Sequence, residues 1–240
     1  MNSLSIKRST GLVAVYRVNV LLIGVALTLL LSFSPRFVDA ARGGRCRQQK
    51  PQRFLMRSSY VKHGMIDPKS HERAVNYRLG QYGSVPGIAT GGVGMQSVNS
   101  QTRRTTFFGL PITLHEKVIP ALGCVEQRIV RHCTSPGQVY EPRSIGGLRT
   151  ENTIRQGELS NHLFGIAIDI DPNRNPCCHC VKKWQTHPKC AKPAKTPYDR
   201  ADLPRCWVQS FEAYGFYWLG LDSLEDTMHF EFLGDPQKSN

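Results

Sequence analysis

GIAIDID at residues 165–171 and MHFEF at residues 228–232 alternate residue by residue. An extended chain sends successive side chains to opposite faces, so a period of two reads as a strand with one face on a core. In the first stretch Ile166, Ile168 and Ile170 point one way and Ala167, Asp169 and Asp171 the other. In the second, Met228, Phe230 and Phe232 face the core, and His229 and Glu231 face away from it. Each strand therefore carries titratable groups on its non-core face.

Outward from these strands the pattern is mixed. Leu114, Val118, Ile119, Leu122, Val125 and Ile129 recur at helical spacing and predict an amphipathic helix from Leu114 to about Arg131, bent near Pro120. Residues 144–148 predict a short strand, and residues 206–214 a short helix ended by Gly215. The order helix, strand, strand, helix, strand has no βαβ rhythm, so the expected fold is α+β, a small antiparallel sheet with flanking helices. Residues 41–110 read as a basic, loop-rich amino-terminal region, with a polar arm at 41–60 and a long Gly- and Ser-rich loop at 80–100. Residues 111–240 read as the main domain, interrupted at 172–204 by an insertion rich in Pro, Cys and Lys.

The 240 residues are 40% hydrophobic and 20% charged, which suits a globular protein and argues against wholesale disorder. The 21 Gly and 15 Pro follow no G-X-Y period, which excludes collagen. Lys7, Arg8 and Arg17 precede an apolar run at 18–33, followed by Val38-Asp39-Ala40. That is the order of a secretory signal, with cleavage expected after Ala40; the alternative is an uncleaved anchor. The net charge is +13, and +10 without Lys7, Arg8, Arg17, Arg36 and Asp39. A large partner is thus expected to be anionic. Nucleic acid is set aside, because the basic residues are scattered, few aromatics accompany them, and the chain is expected to leave the cytoplasm, for a secreted or periplasmic location.

Cys46, Cys124, Cys133, Cys177, Cys178, Cys180, Cys190 and Cys206 all lie in the exported part. In an oxidising compartment an even set favours disulfides, with about 105 possible pairings. Residues 177–190 also hold His179 and His187, so a structural zinc knuckle is the alternative there.

Ser160-Asn161-His162 precedes the first strand, with Gly165 at the bend. His162, Asp169 and His229 are candidates to supply two nitrogens and one oxygen to a divalent ion, leaving a position open for hydrolytic chemistry. The alternative is that each is an ordinary strand-end or hydrogen-bonded residue.

SNHLFGIAID at 160–169 resembles the S-x-H-x-x-G-x-A-x-D motif of the zinc D-Ala-D-Ala carboxypeptidase and L-alanyl-D-glutamate endopeptidase family, with its Hedgehog/DD-peptidase fold. DTMHFEF at 226–232 resembles the family's closing motif, and IGGLRT at 145–150 its strand ending in an Arg-Ser/Thr turn. These motifs occur in the family's order and span about 114–233, leaving the amino-terminal region outside. The resemblance implies that His162, Asp169 and His229 bind one catalytic Zn2+. It further implies that Asp226 is the general base and then the acid, that Arg149 engages substrate and steadies the developing oxyanion, and that Ser160 and Gly165 are structural. Asp226 and Met228 stand where many members have Glu and Trp, which is more similar to the endopeptidase branch. Glu225 is a second candidate for the base, and Leu148 replaces a usual aromatic.

The expectation is an exported zinc metallopeptidase acting on peptidoglycan or muropeptides. The alternative is a non-catalytic metal-binding module, wall- or partner-associated, on the same fold.

Overall fold

The computed structural model describes residues 46–87, 95–152 and 157–239; the expected signal at 1–40 and part of the expected 80–100 loop lie outside them. In chain order the elements are α1 (Arg57–Tyr60), β1 (Val61–Lys62), β2 (Met65–Ile66), α2 (Pro68–Tyr82), β3 (Thr102–Phe107), β4 (Leu110–His115) and α3 (Ile119–His132). They continue with β5 (Ile145–Gly146), β6 (Ala167–Ile170), α4 (Lys182–Gln185), α5 (Pro188–Ala191), α6 (Arg205–Glu212), β7 (Phe216–Trp218) and β8 (His229–Phe232). Among the described residues no helix is long and apolar enough to cross a membrane.

The central sheet has the order β5-β6-β8-β7, antiparallel throughout, so the chain is a mixed α/β fold with small antiparallel sheets. The two alternating stretches are neighbours: Ile168 pairs with Phe230, and Asp169 with His229. The core face behaves as its apolar pattern requires. Ile166, Ile168, Ile170, Phe230 and Phe232 are all buried, and Phe230 stacks on Phe211 of α6 with ring centroids 4.1 Å apart. Trp207, Phe211, Val125 and Ile129 from α6 and α3 complete that core.

Several elements depart from the sequence expectation. The helix does not begin at Leu114, which lies in β4; it starts at Ile119 with Pro120 in its first turn. Pro is well tolerated there because its missing N–H has no helical partner anyway. Its position marks a start, not a bend. The β3–β4 hairpin was not expected; it turns at Phe108 and Gly109, both at positive φ. The amino-terminal region is also less loop-like than expected. It holds the 15-residue α2, whose Asp67 side chain caps the Ser70 amide, with Pro68 following. The described part of the expected arm, residues 46–60, is fastened to the body: Gln52 N donates to Leu233 O at 2.8 Å, and Leu55 and Tyr60 are buried.

All eight cysteines are paired: Cys46–Cys124, Cys133–Cys206, Cys177–Cys180 and Cys178–Cys190. The sulfurs of 177–190 are thus bonded to one another, and the zinc-knuckle alternative does not hold in this structure. Pairs separated by 78 and 73 residues close long loops, each contributing about 4.5 kcal/mol in the chain-entropy account. The Cys177–Cys180 loop, three residues apart in sequence, contributes about 2 kcal/mol on the same account. Replacing Cys133 and Cys206 together by Ser is expected to lower the unfolding free energy by about 2–5 kcal/mol. Urea titration checks this, and replacing Cys177 and Cys180 together should cost less than half as much.

Candidate metal centre

β6 and β8 set the site. Because Asp169 and His229 are register partners, both side chains leave the sheet on one face at adjacent positions. The third member arrives from the turn before β6. Ser160 begins a 3-10 turn at Asn161–Phe164, its Oγ accepting from His162 N at 3.3 Å. Gly165 ends that turn at φ +65°, and a Cβ there would lie 2.8 Å from His115 N, so only glycine serves. The turn is pinned further by His115 N donating to Gly165 O and Arg149 N donating to His162 O.

His162, Asp169 and His229 each offer a ligand atom, and these atoms lie within 4.8 Å of one another. His229 Nδ1 is 2.8 Å from Asp169 Oδ1 and 3.2 Å from His162 Nε2, while His162 Nε2 is 3.2 Å from Asp169 Oδ2. All three residues are buried. Arg149, from the loop after β5, donates to Asp169 Oδ2 through Nη2.

The outward ring nitrogens are both engaged. His162 Nδ1 meets Gly147 O at 2.6 Å, so Nδ1 carries hydrogen and the Nε2 lone pair faces the centre. His229 Nε2 meets Glu231 Oε1 at 3.2 Å, which turns Nδ1 inward. This carboxylate–histidine pairing is the usual support of a metal-ligating imidazole. Two nitrogens and a carboxylate oxygen, pre-oriented from behind, fit a zinc ion.

Electrostatics support that reading of the donor set. Burial pushes His162 down, so it stays neutral. Burial also disfavours charge on Asp169 and His229, but each overcomes it through the other. His162 and His229 hold the Asp169 carboxyl well below the usual carboxylate range, and Asp169 and Glu231 hold the His229 imidazolium well above its ordinary value. A proton on His229 Nδ1 thus occupies the lone pair that a cation needs, and metal binding must release it.

Asp226 stands at an isolated bridge with Cys177, and its carbonyl accepts from His229 N at 3.4 Å across a turn at Thr227 and Met228. On an unbroken strand a residue three before His229 would point to the opposite face, and this turn takes Asp226 off that path. Its Oδ1 is buried without a hydrogen-bond partner, and burial, with Asp169 and Glu231 adding to it, pushes the carboxyl up to about 7. Glu225, the other candidate base, is paired with Arg200 at 2.5 Å. Asp171 is spent on structure, accepting from Tyr140 Oη, Arg143 N and Ser144 N. Sequence reasoning placed Glu231 on the correct face but gave it no role; its i+2 spacing from His229 was the available signal.

Glu231→Ala is expected to weaken zinc binding about 10–100-fold, with Glu231→Gln recovering part of the loss. Competition against a chromophoric chelator measures it, with thermal melting as the folding control.

The sequence profile of the D-alanyl-D-alanine carboxypeptidase family matches residues 153–232. No curated protein and no solved structure matches the chain. The matched stretch is roughly a third of the chain and contains His162, Asp169, Asp226 and His229, with Arg149 just ahead of it. Over that stretch the match supports kinship with the D-alanyl-D-alanine carboxypeptidases.

Proposed function

We propose that the protein is an exported zinc metallopeptidase that hydrolyses peptide bonds in peptidoglycan stem peptides, of the DD-carboxypeptidase or L-alanyl-D-glutamate endopeptidase type. The observation that carries this reading is the convergence of His162 Nε2, His229 Nδ1 and Asp169 Oδ, with a buried Asp226 carboxyl close enough to feel the charges of His229 and Asp169. The family match over 153–232 supports the substrate class. Four disulfides support an oxidising, secreted or periplasmic setting.

His162, Asp169 and His229 hold the ion, which when bound polarises the scissile carbonyl and lowers the pKa of water. Asp226 takes the proton from the attacking water and returns it to the leaving amine; a carboxylate lifted towards neutrality by burial suits both transfers. Arg149, whose side chain is 39% exposed, is the cation beside the ligands that engages substrate and offsets negative charge on the carbonyl oxygen. His162 and His229 keep their outer hydrogen bonds throughout, so ligand geometry does not relax as charge develops. The net positive charge favours approach to an anionic wall polymer.

The test is a digest of purified muropeptides followed by mass spectrometry. The zinc-loaded protein should release a new amine, and a chelator should stop it; no release from zinc-loaded protein contradicts the reading. Asp226→Asn should lower kcat by about 10²–10⁴-fold while sparing zinc content. Asp226 must be ionised to accept a proton, so activity should rise with pH as it titrates. Burial pushes that carboxyl up to about 7, and a neighbouring dication would favour the charged form, so the acid limb should fall below that value. The limb should vanish in Asp226→Asn.

A further inference from the structure

Arg57 opens α1, far in sequence from the ligand set, and its side chain is 11% exposed. Its Nε donates to Glu158 Oε2 at 3.0 Å and to Oε1 at 3.3 Å, and its Nη2 donates to Glu158 Oε1 at 3.0 Å. Its Nη1 donates to Asp222 Oδ1 at 2.9 Å, with Ser223 Oγ at 3.2 Å. Glu158 and Asp222 are both buried. One planar guanidinium thus serves two carboxylates, bidentate towards Glu158, a geometry that a lysine's compact ammonium does not reproduce.

Each carboxylate belongs to a different loop of the site. Glu158 lies two residues before Ser160 on the approach to His162, and Asn152 ties this loop by donating to Glu158 O at 2.8 Å and accepting from Ser160 N at 3.2 Å. Asp222 opens the loop that ends in Asp226. Its Oδ1 accepts from Leu224 N at 3.1 Å, its carbonyl accepts from Glu225 N at 2.9 Å, and Asp226 N donates to Leu219 O at 3.2 Å. Loosening either carboxylate from Arg57 leaves a buried charge unpaired, so the three move as a unit.

We propose that Arg57 is a positioning residue: it locks the loop carrying His162 to the loop carrying Asp226 and so fixes the separation of the ligand set from the proton-transferring carboxylate. This rests on the hydrolytic reading of the site, and it assigns a part in that site to the amino-terminal region, which lies outside residues 153–232. The mismatch that follows its loss falls on Asp226, which must meet a water held by another group. Binding of substrate and metal depends on the ligand set itself and is affected less.

The experiment compares the full chain with Arg57→Lys, Arg57→Ala and Asp222→Asn, reading kcat, KM, zinc content and hydrogen exchange by mass spectrometry. Arg57→Lys should keep one zinc and leave KM within about twofold, while kcat falls roughly 10–100-fold. Exchange at 157–162 and 222–228 should rise together. Arg57→Lys added to Asp222→Asn should lower kcat little further, because both remove the same link. Unchanged kcat with unchanged exchange overturns the proposal, as does a loss of zinc and thermal stability with kcat per bound zinc intact. If the unaltered protein hydrolyses nothing, the hydrolytic reading fails and exchange alone decides: faster exchange in one loop only, or in neither, overturns the clamp.

Discussion

The candidate metal centre depends on one register, the pairing of Asp169 opposite His229 in adjacent antiparallel strands. A slip of one residue in either strand would turn one of these groups to the opposite face and bury charge among Phe and Ile. The core prevents it. Ile168 and Phe230 pair immediately beside the polar couple, Phe230 stacks on Phe211, and Phe232 packs edge-on against Phe216. The apolar face therefore fixes the geometry of the polar one.

Burying two imidazoles and several carboxylates is costly unless each charge has a partner. Within the ligand set the partners alternate in sign: Arg149 on Asp169, Asp169 and Glu231 on His229. Arg78, fully buried on α2, donates to Leu55 O and draws Glu231 below its ordinary range, although burial opposes it and His229 acts first. The result is a ligand set whose donors are each held from behind, with His229 raised well above its ordinary range by Asp169 and Glu231 although burial opposes it. Because ligand nitrogens must be unprotonated to bind a cation, metal affinity at such a site rises with pH.

Much of this was legible in the chain, for physical reasons that differ by element. β6 and β8 were visible because a half-buried strand imposes a period of two, and that same alternation placed Asp169, His229 and Glu231 on their faces. Alternation says nothing about partners, so the register came only with the fold. Leu114 was misplaced because it stands four before Val118, a spacing that a strand end and a helix start mimic by chance. The β3–β4 hairpin was hidden by a polar strand, TRRTTF, and by Phe108 in a turn position where Asn or Asp is the usual signal. The Asp67-Pro68 start of α2 was readable, but that helix buries only Ala74, Arg78, Leu79 and Tyr82, too few for a clear apolar stripe. Arg57 was not readable at all, since its partners lie 101 and 165 residues away.

The most direct test of the account is anomalous diffraction at the zinc edge from crystals of the zinc-loaded protein. One strong peak is expected within about 2.0–2.2 Å of His162 Nε2, His229 Nδ1 and an Asp169 oxygen. A peak bound elsewhere, or these three side chains lying around an empty centre at saturating zinc, contradicts it.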